Sequence, residues 1–472
     1  MHGQNIRAFH KLGISFASLP AWFGVACLLL AATAVSSATN TFTTRVNFNG
    51  INGSTPYLES LVQGTDGNLY GTTAAGGSFG LGTVFNVTPT GTLTTIYNFS
   101  GTPDGATPKS GLVLGNTGNF FWGTTTFGGT FGFGTVFKIT SVGTLTILYS
   151  FGGTDGEYPT AGLVEGADGS FYGTTNEGGA FGLGTVFKIT SAGVLKTLHS
   201  FGGAEGEYPL AGLVEGTDGK FYGTAQFGGT NNLGTVFKIT SGGVLTTLHS
   251  FIGGDGAYPI AGLIQAADGD FYGTAYKGGS SNLGTIFEMN SGGTLTTVHS
   301  FAGGAFEGEY PYAALFQATN GKFYGTAYEG GTSGLGTIFK FSAGTLTTLH
   351  SFAGTDGELP AGGLVQRTSG GFFGVTSLAG SGGQGTVFSL NEGLGAFVKT
   401  LPTSGAVGAA VTILGTNLTG ATGVFFNGTL ASFAVVSSSE IATFVPTGAT
   451  TGPVVVTTPA GIVTSNVNFV VP

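Results

Sequence analysis

The chain has 472 residues, 91 of them glycine, with 8% charged and 41% hydrophobic residues and a formal net charge of −9. Glycine without a three-residue period excludes collagen, and the many Phe, Val, Ile and Leu residues exclude a disordered chain. Helix formers such as Glu, Lys, Arg and Gln are scarce, which excludes a helical protein, and an acidic chain with no basic cluster is a poor partner for nucleic acid or anionic lipid.

Residues 1–38 read as a secretory signal. Arg7 and Lys11 form a weakly basic start, an apolar stretch runs from Leu19 to Val35, and Ser36-Ser37-Ala38 supplies the small residues that a signal peptidase reads. An uncleaved membrane anchor is the competing reading. A lipoprotein would need Cys27 as the acylated residue, but Gly24-Val25-Ala26 lacks the usual leucine. Cys27 is the only cysteine, so the processed chain would have no disulfide, thiolate catalyst or cysteine zinc site. No later apolar run is long enough to span a bilayer. The expected location is secreted or cell surface.

Residues 39–401 carry one unit seven times. Gly-Thr-Val/Ile-Phe ends at Phe85, Phe137, Phe187, Phe237, Phe287, Phe339 and Phe388, and a proline recurs at Pro56, Pro108, Pro159, Pro209, Pro259, Pro311 and Pro360. An aromatic-Gly-Thr element precedes each motif, as in Tyr172-Gly173-Thr174, and only the last copy departs from it with Phe373-Gly374-Val375. In the third copy, four strands are predicted at 161–164, 171–175, 184–190 and 194–201. Asp168-Gly169, Gly178-Gly179 and Asp155-Gly156 provide the turns. Four strands in each of seven units predict an all-β, seven-bladed β-propeller. A linear solenoid is the main competitor, disfavoured by the absence of a polar cap. Fourth-strand-like segments at both ends, 43–48 and 395–401, predict that the termini share one blade.

From Pro402 the repeat stops. Val411-Thr412-Ile413-Leu414-Gly415 and Val424-Phe425-Phe426-Asn427-Gly428 read as strands with turns. The 402–472 segment therefore predicts a small Ig-like β-sandwich.

The repeat resembles the tandem Gloeobacter/Verrucomicrobia repeat of exported bacterial proteins, through Asp-Gly-x-Phe-Tyr-Gly-Thr-x-x-x-Gly-Gly and Gly-Thr-Val-Phe-Lys-Ile-Thr, with residues 218–240 as a clear copy. The resemblance implies no defined activity. The 402–472 segment resembles an IPT/TIG domain through Pro-Thr-Ser-Gly-x-x-Gly-x-x-Val-x-Ile-x-Gly and Phe-Asn-Gly. In exported bacterial proteins, such domains look like spacers or adhesive modules.

The Asp-Gly turns form two columns: Asp66, Asp168, Asp218 and Asp268, and then Asp104, Asp155, Asp255 and Asp356. Calcium is the cofactor such oxygens would suit, but the turns need Asp and Gly for backbone reasons alone. A histidine column, His199, His249, His299 and His350, would bring four imidazoles together if its strand lined the channel. Tyr97 and Tyr149 at the same position favour plain packing, and no carboxylate partner is expected nearby. Tyr172, Tyr222, Tyr272 and Tyr324, each after a Phe, read as inter-blade core or as sugar-stacking platforms. Glu157-Tyr158, Glu207-Tyr208 and Glu309-Tyr310 lie on the proline loops and form the candidate binding rim.

No nucleophile elbow, zincin helix, phosphate loop or dinucleotide fingerprint is present. The copies differ mostly by conservative exchanges, whereas an active site needs unlike residues in unlike roles. The expected function is therefore an exported, non-catalytic binding or scaffold protein, with multivalent contacts to extracellular polysaccharide, cell wall or protein. The alternatives are a propeller enzyme acting on glycans or lactones and a purely structural envelope component. The enzyme would show unlike polar residues converging on one mouth.

Overall fold

The computed structural model describes residues 40–58 and 61–472, and the candidate signal sequence lies outside them. Those residues are β-strands, turns and loops without a helix. Among them, no helix is long and apolar enough to cross a membrane.

The third repeat shows how one unit forms. Val164–Glu165, Phe171–Thr175, Thr185–Ile189 and Leu195–Ser200 make a four-stranded sheet in chain order. Each strand is antiparallel to the next. Phe171 pairs with Ile189 and Thr175 with Thr185. The Asp168-Gly169 turn therefore lies at one end of the sheet and the proline loop, tied by Asn176 N–H to Tyr158 O at 3.2 Å, at the other. Gly173 is required because a Cβ there would sit 2.7 Å from Phe187 and 2.8 Å from Leu163. Gly184 has a φ of +99° and packs against Pro209 of the next unit. The Gly-Thr-Val-Phe glycine and the proline are thus two halves of one junction.

Seven such four-stranded sheets occur between residues 41 and 391. The last is completed by the N-terminal strand Thr41–Asn47, which pairs with Thr386–Asn391 and closes the row into a propeller-like ring. The expectation that 395–401 would add a second such strand is corrected. Lys399–Leu401 pairs instead with Ala410–Leu414 of the C-terminal sheet, because the outer edge is already occupied by Thr41–Asn47.

Adjacent sheets interlock through two sets of aromatics. The phenylalanine that ends each fourth strand packs edge-on against the Gly-Thr-Val/Ile-Phe ring of the following sheet at all seven seams, with centroids 5.2–5.5 Å apart. Six seams also carry a face-to-face or tilted stack between second strands, at 3.8–4.3 Å: Tyr70–Phe121, Trp122–Phe171, Tyr172–Phe221, Tyr222–Phe271, Tyr272–Phe323 and Tyr324–Phe372. These tyrosine rings are buried, so they are core and are closed to a sugar.

Residues from Lys399 onward form two further four-stranded sheets. Val411, Ile413 and Ile441 of one meet Val424, Phe426, Val454 and Val456 of the other in a single apolar core. This part docks on the Asp-Gly end of the ring. Ser439 Oγ donates to Thr65 O at 2.6 Å, Thr368 and Thr416 share a hydroxyl contact of 2.8 Å, and Leu414 joins the core around Tyr70 and Phe121. Lys399 Nζ donates to Gln366 O at 3.1 Å. Burial pulls its ammonium down to about 8.

Two stability predictions follow from this packing. Tyr222→Ala should cost about 3–5 kcal/mol by loss of a buried stacked ring. Tyr222→Phe should cost about 1 kcal/mol, because only the hydroxyl contact to Asp218 is lost; urea unfolding distinguishes the two. Lys399 has a folded pKa below that of the unfolded chain, so the unfolded chain binds more protons between about pH 8 and 10.5 and stability rises across that window. Lys399→Met should therefore raise the unfolding free energy most below pH 8, by up to about 3 kcal/mol, with the advantage fading toward pH 10.5 in urea titrations across that range.

Candidate functional site

The proline loops of the seven units meet at the end of the ring opposite the Asp-Gly turns. In every copy the residue before the proline has a left-handed backbone, φ +52° to +57°, at Thr55, Thr107, Tyr158, Tyr208, Tyr258, Tyr310 and Leu359. The residue after the proline is Tyr57, Lys109, Thr160, Leu210, Ile260, Tyr312 or Ala361. Leu210, Ile260 and Tyr312 line a central cavity of about 150 Å³ together with Leu58 and the Ala-Gly segments beside them. This column breaks the symmetry of the repeat more than any part of the core does.

Tyr57 reaches past the small Ala361 position to Tyr312, and their hydroxyls lie 3.1 Å apart. Tyr276 and Tyr328 come from the loops after the second strands and pack on Tyr312 with centroids 5.7 and 5.1 Å away. Tyr310 lies 5.1 Å from Tyr276. Burial, followed by Tyr57, pushes the Tyr312 hydroxyl well above the usual range, so it stays a hydrogen-bond donor at any physiological pH. Burial also raises Tyr276 and Tyr328. On the adjacent loop, Lys109 Nζ lies 5.9 Å from the Phe127 ring centroid, and burial lowers its pKa. Lys109 makes no ion pair among the described residues.

The position occupied by Tyr276 and Tyr328 is Asn176 in the third copy and Ser377 in the seventh. Asn176 Oδ1 and Ser377 Oγ are buried without a hydrogen-bond partner among the described residues. Buried polar atoms are rarely left unpaired unless something else satisfies them. Two such atoms stand in one column next to the mouth.

The rim residues named from sequence lie on these loops, one turn outward. Glu157 pairs through its backbone with Glu177, Glu207 with Phe227, and Glu309 with Glu329. Burial, then Glu177 and Asp155, push the Glu157 carboxyl above the usual range. Tyr158 packs on Phe127 and Phe133, Tyr208 on Phe227, and Tyr310 on Tyr276. Sequence reasoning found the loop but missed Tyr57, Lys109, Tyr276, Tyr312 and Tyr328. The available signal was that the residue after each proline changes in kind from copy to copy.

The histidines are placed elsewhere. His199, His249, His299 and His350 lie on the outermost strands of four separate sheets and do not share a space. Contrary to expectation, each has a carboxylate partner: Glu205 at 3.1 Å, Asp255 at 2.8 Å, Glu307, and Asp356 at 2.8 Å. Tyr97 and Tyr149 donate to Asp104 and Asp155 in the same way. The second acidic column therefore fastens the outer strand to its loop, with Tyr and His as interchangeable donors. Burial lowers the pKa of His350 despite Asp356. In the first column, Asp66, Asp168, Asp218 and Asp268 each accept from the tyrosine four residues on. Among the described residues, no three His, Cys, Asp or Glu side chains converge as metal ligands.

The sequence matches the profile of the Gloeobacter/Verrucomicrobia repeat over residues 61–268 and 215–434. The chain belongs to this repeat family. No curated protein matches it. Similar solved structures include the periplasmic gluconolactonase PpgL of Pseudomonas aeruginosa, 16% identical over 69% of this chain and 97% of that one, TM-score 0.44. The gluconolactonase XC5397 of Xanthomonas campestris is 14% identical over 61% and 87%, TM-score 0.40. The BP39L lectin of Burkholderia pseudomallei is 12% identical over 86% and 97%, TM-score 0.45. The expectation of a non-catalytic binding and scaffold protein is corrected here. The premise of like-for-like repeats fails at the mouth, where a lysine, two tyrosines, a threonine and aliphatic residues occupy one column.

The outer-strand pairing makes its own prediction. His249→Tyr should leave stability within about 0.5 kcal/mol, because the fold already uses Tyr–Asp at this position. Asp255→Ala should cost about 1–3 kcal/mol, since His249 and the Ile252 N–H both lose their acceptor. Paired denaturation curves check both.

Proposed function

We propose that this chain is an exported hydrolase that opens a polar, sugar-like lactone at the mouth of a seven-bladed β-propeller, with residues 402–472 as an Ig-like domain of the IPT/TIG type. The observation that carries the reading is the set of unlike polar side chains, Tyr57, Lys109 and Tyr312, in one column of an otherwise symmetric ring. Seven closed four-stranded sheets support the blade count, and two facing sheets around one core support the Ig-like domain. The repeat family and the signal-like start support export.

In this reading, water adds to the lactone carbonyl carbon, the ring C–O bond breaks, and the product is a hydroxy acid. The Tyr57 and Tyr312 hydroxyls, the second held as a donor by burial, stabilise the oxygen on which charge develops. Lys109, whose ammonium is disfavoured by burial and which forms no ion pair among the described residues, accepts the proton of the attacking water and returns it to the departing ring oxygen. Tyr276 and Tyr328 offer ring faces to the substrate, and Asn176 and Ser377 offer polar atoms to its hydroxyl groups.

The purified protein should hydrolyse aldonic-acid lactones, followed by acid release. Lys109→Met and Tyr312→Phe should each lower kcat/KM by about tenfold or more. His249→Gln, on the outer strand, should leave it unchanged. Absence of turnover on all such lactones, or full activity in both mouth variants, would sink the proposal.

A further inference from the structure

The seam between the last sheet and the first is built differently from the other six, and the difference is cationic. The sequence has three arginines, and the two within the described residues, Arg45 and Arg367, both line one groove at this seam. The groove has a volume of about 300 Å³ and is also lined by Thr43, Ser369, Phe373 and Ser389, with no carboxylate among its lining residues.

Each arginine stands where the other copies carry something apolar or small. Arg45, on the closing strand, occupies the position of Ile96, Leu148, Leu198, Leu248, Val298 and Leu349. Arg367 occupies the position of Gly64, Gly115, Gly166, Gly216, Ala266 and Ala318. At Gly166, an added Cβ would sit 2.8 Å from Tyr172 and 3.0 Å from Phe221 of the next sheet. At the closing seam that neighbour is Leu69, and Tyr is replaced by Phe373, so there is room for a long side chain. The Arg367 guanidinium lies over the Phe373 ring, 5.6 Å from its centroid, where a neighbouring aromatic stacks at the other seams. Ser369 and Ser389 replace the Asp and Lys that pair in the third copy.

The two cations are poorly neutralised. Arg45 Nε donates to Ser389 Oγ at 2.8 Å, and Arg367 Nη2 donates to Gly67 O at 2.7 Å. Arg367 is only 7% exposed, and its Nε is buried without a partner among the described residues. Neither arginine forms an ion pair there. Burial and the charge of Arg45 both oppose the Arg367 cation, and a guanidinium does not deprotonate, so an anion in the groove would stabilise it beyond what Gly67 O and the Phe373 ring supply.

We propose that this seam groove is an oxyanion-binding site, in which Arg45 and Arg367 clamp a carboxylate- or phosphate-type group with Ser369 and Ser389 as hydroxyl donors. It lies at the Asp-Gly end of the ring and is independent of the reading of the mouth. Two guanidiniums facing a groove without a competing carboxylate suit planar, multidentate recognition of such a group.

Calorimetric titration of the purified protein with sodium glucuronate, inorganic phosphate and sulfate, at low and at physiological salt, tests the site. The expected result is saturable one-to-one binding of at least one of them. Arg45→Leu, which installs the residue of the other copies, should weaken it about tenfold or more. Arg367→Ala should do the same, and a melting curve on each variant confirms that the ring remains closed. Glucuronate binding would assign an acidic saccharide, and binding of phosphate or sulfate alone would assign a phosphorylated or sulfated ligand. No binding of any of the three, or equal binding by a folded Arg45→Leu protein, would overturn the proposal.

Discussion

Every sheet in this ring depends on the next through one phenylalanine pair. The ring that ends a fourth strand stands edge-on to the Gly-Thr-Val/Ile-Phe ring of the following sheet, and this contact recurs at all seven seams, including the closing one between Phe48 and Phe85. A four-stranded sheet whose first strand has two residues cannot bury both faces by itself. The paired rings fix the spacing between sheets, and the glycines follow from them. Gly173 is bare because Phe187 occupies the space a side chain would need. The high glycine content therefore belongs to a tightly packed β core in which rings press against backbone.

Closure by the N-terminal strand turns a row of such contacts into a ring and determines where the sequence is free to vary. Six seams add the Tyr/Trp–Phe stack and its supporting polar residue, and those residues hardly change. The seventh joins the two chain ends and uses Phe373 against Leu69. Once that stack is released, a glycine position can become Arg367 and a leucine position can become Arg45. The symmetry is thus broken in two places: at the mouth, in the residue that follows each proline, and at the seam, where the packing partner has changed.

Much of this was legible beforehand. The repeat spacing, the four strands of the third copy and the turn positions agree with the observed elements to within a few residues, because alternating burial and Asp-Gly turns are local signals. The ownership of Lys399–Leu401 was not legible, since a strand of three residues carries no mark that the N-terminal strand has already taken the ring's edge. The histidine pairs were hidden for a similar reason. His249 and Asp255 are six residues apart, but only the bend at the end of the fourth strand brings them to 2.8 Å. The mouth was half legible: the Glu-Tyr-Pro loops were identified, while the residues aimed inward stand one place beyond the proline that hides their spread.

The backbone of those loops explains why that one place matters. A left-handed non-glycine residue is unfavourable by about 1–2 kcal/mol, and here one precedes the proline in every copy. Replacing Tyr158, Tyr208, Tyr258 and Tyr310 by glycine would relieve the strain, yet all seven copies retain a side chain there. The packing of those side chains on neighbouring loops, as with Tyr158 on Phe127 and Phe133, offsets part of the cost and locks the turn. A locked turn followed by a proline of fixed φ holds the next residue in one direction, which for Leu210, Ile260 and Tyr312 is toward the cavity. The strain is therefore common to all copies while the residue it aims differs in each. That is how a repeat with a uniform core can carry a separately chosen side chain at one position of each copy, with those of Leu210, Ile260 and Tyr312 lining the cavity.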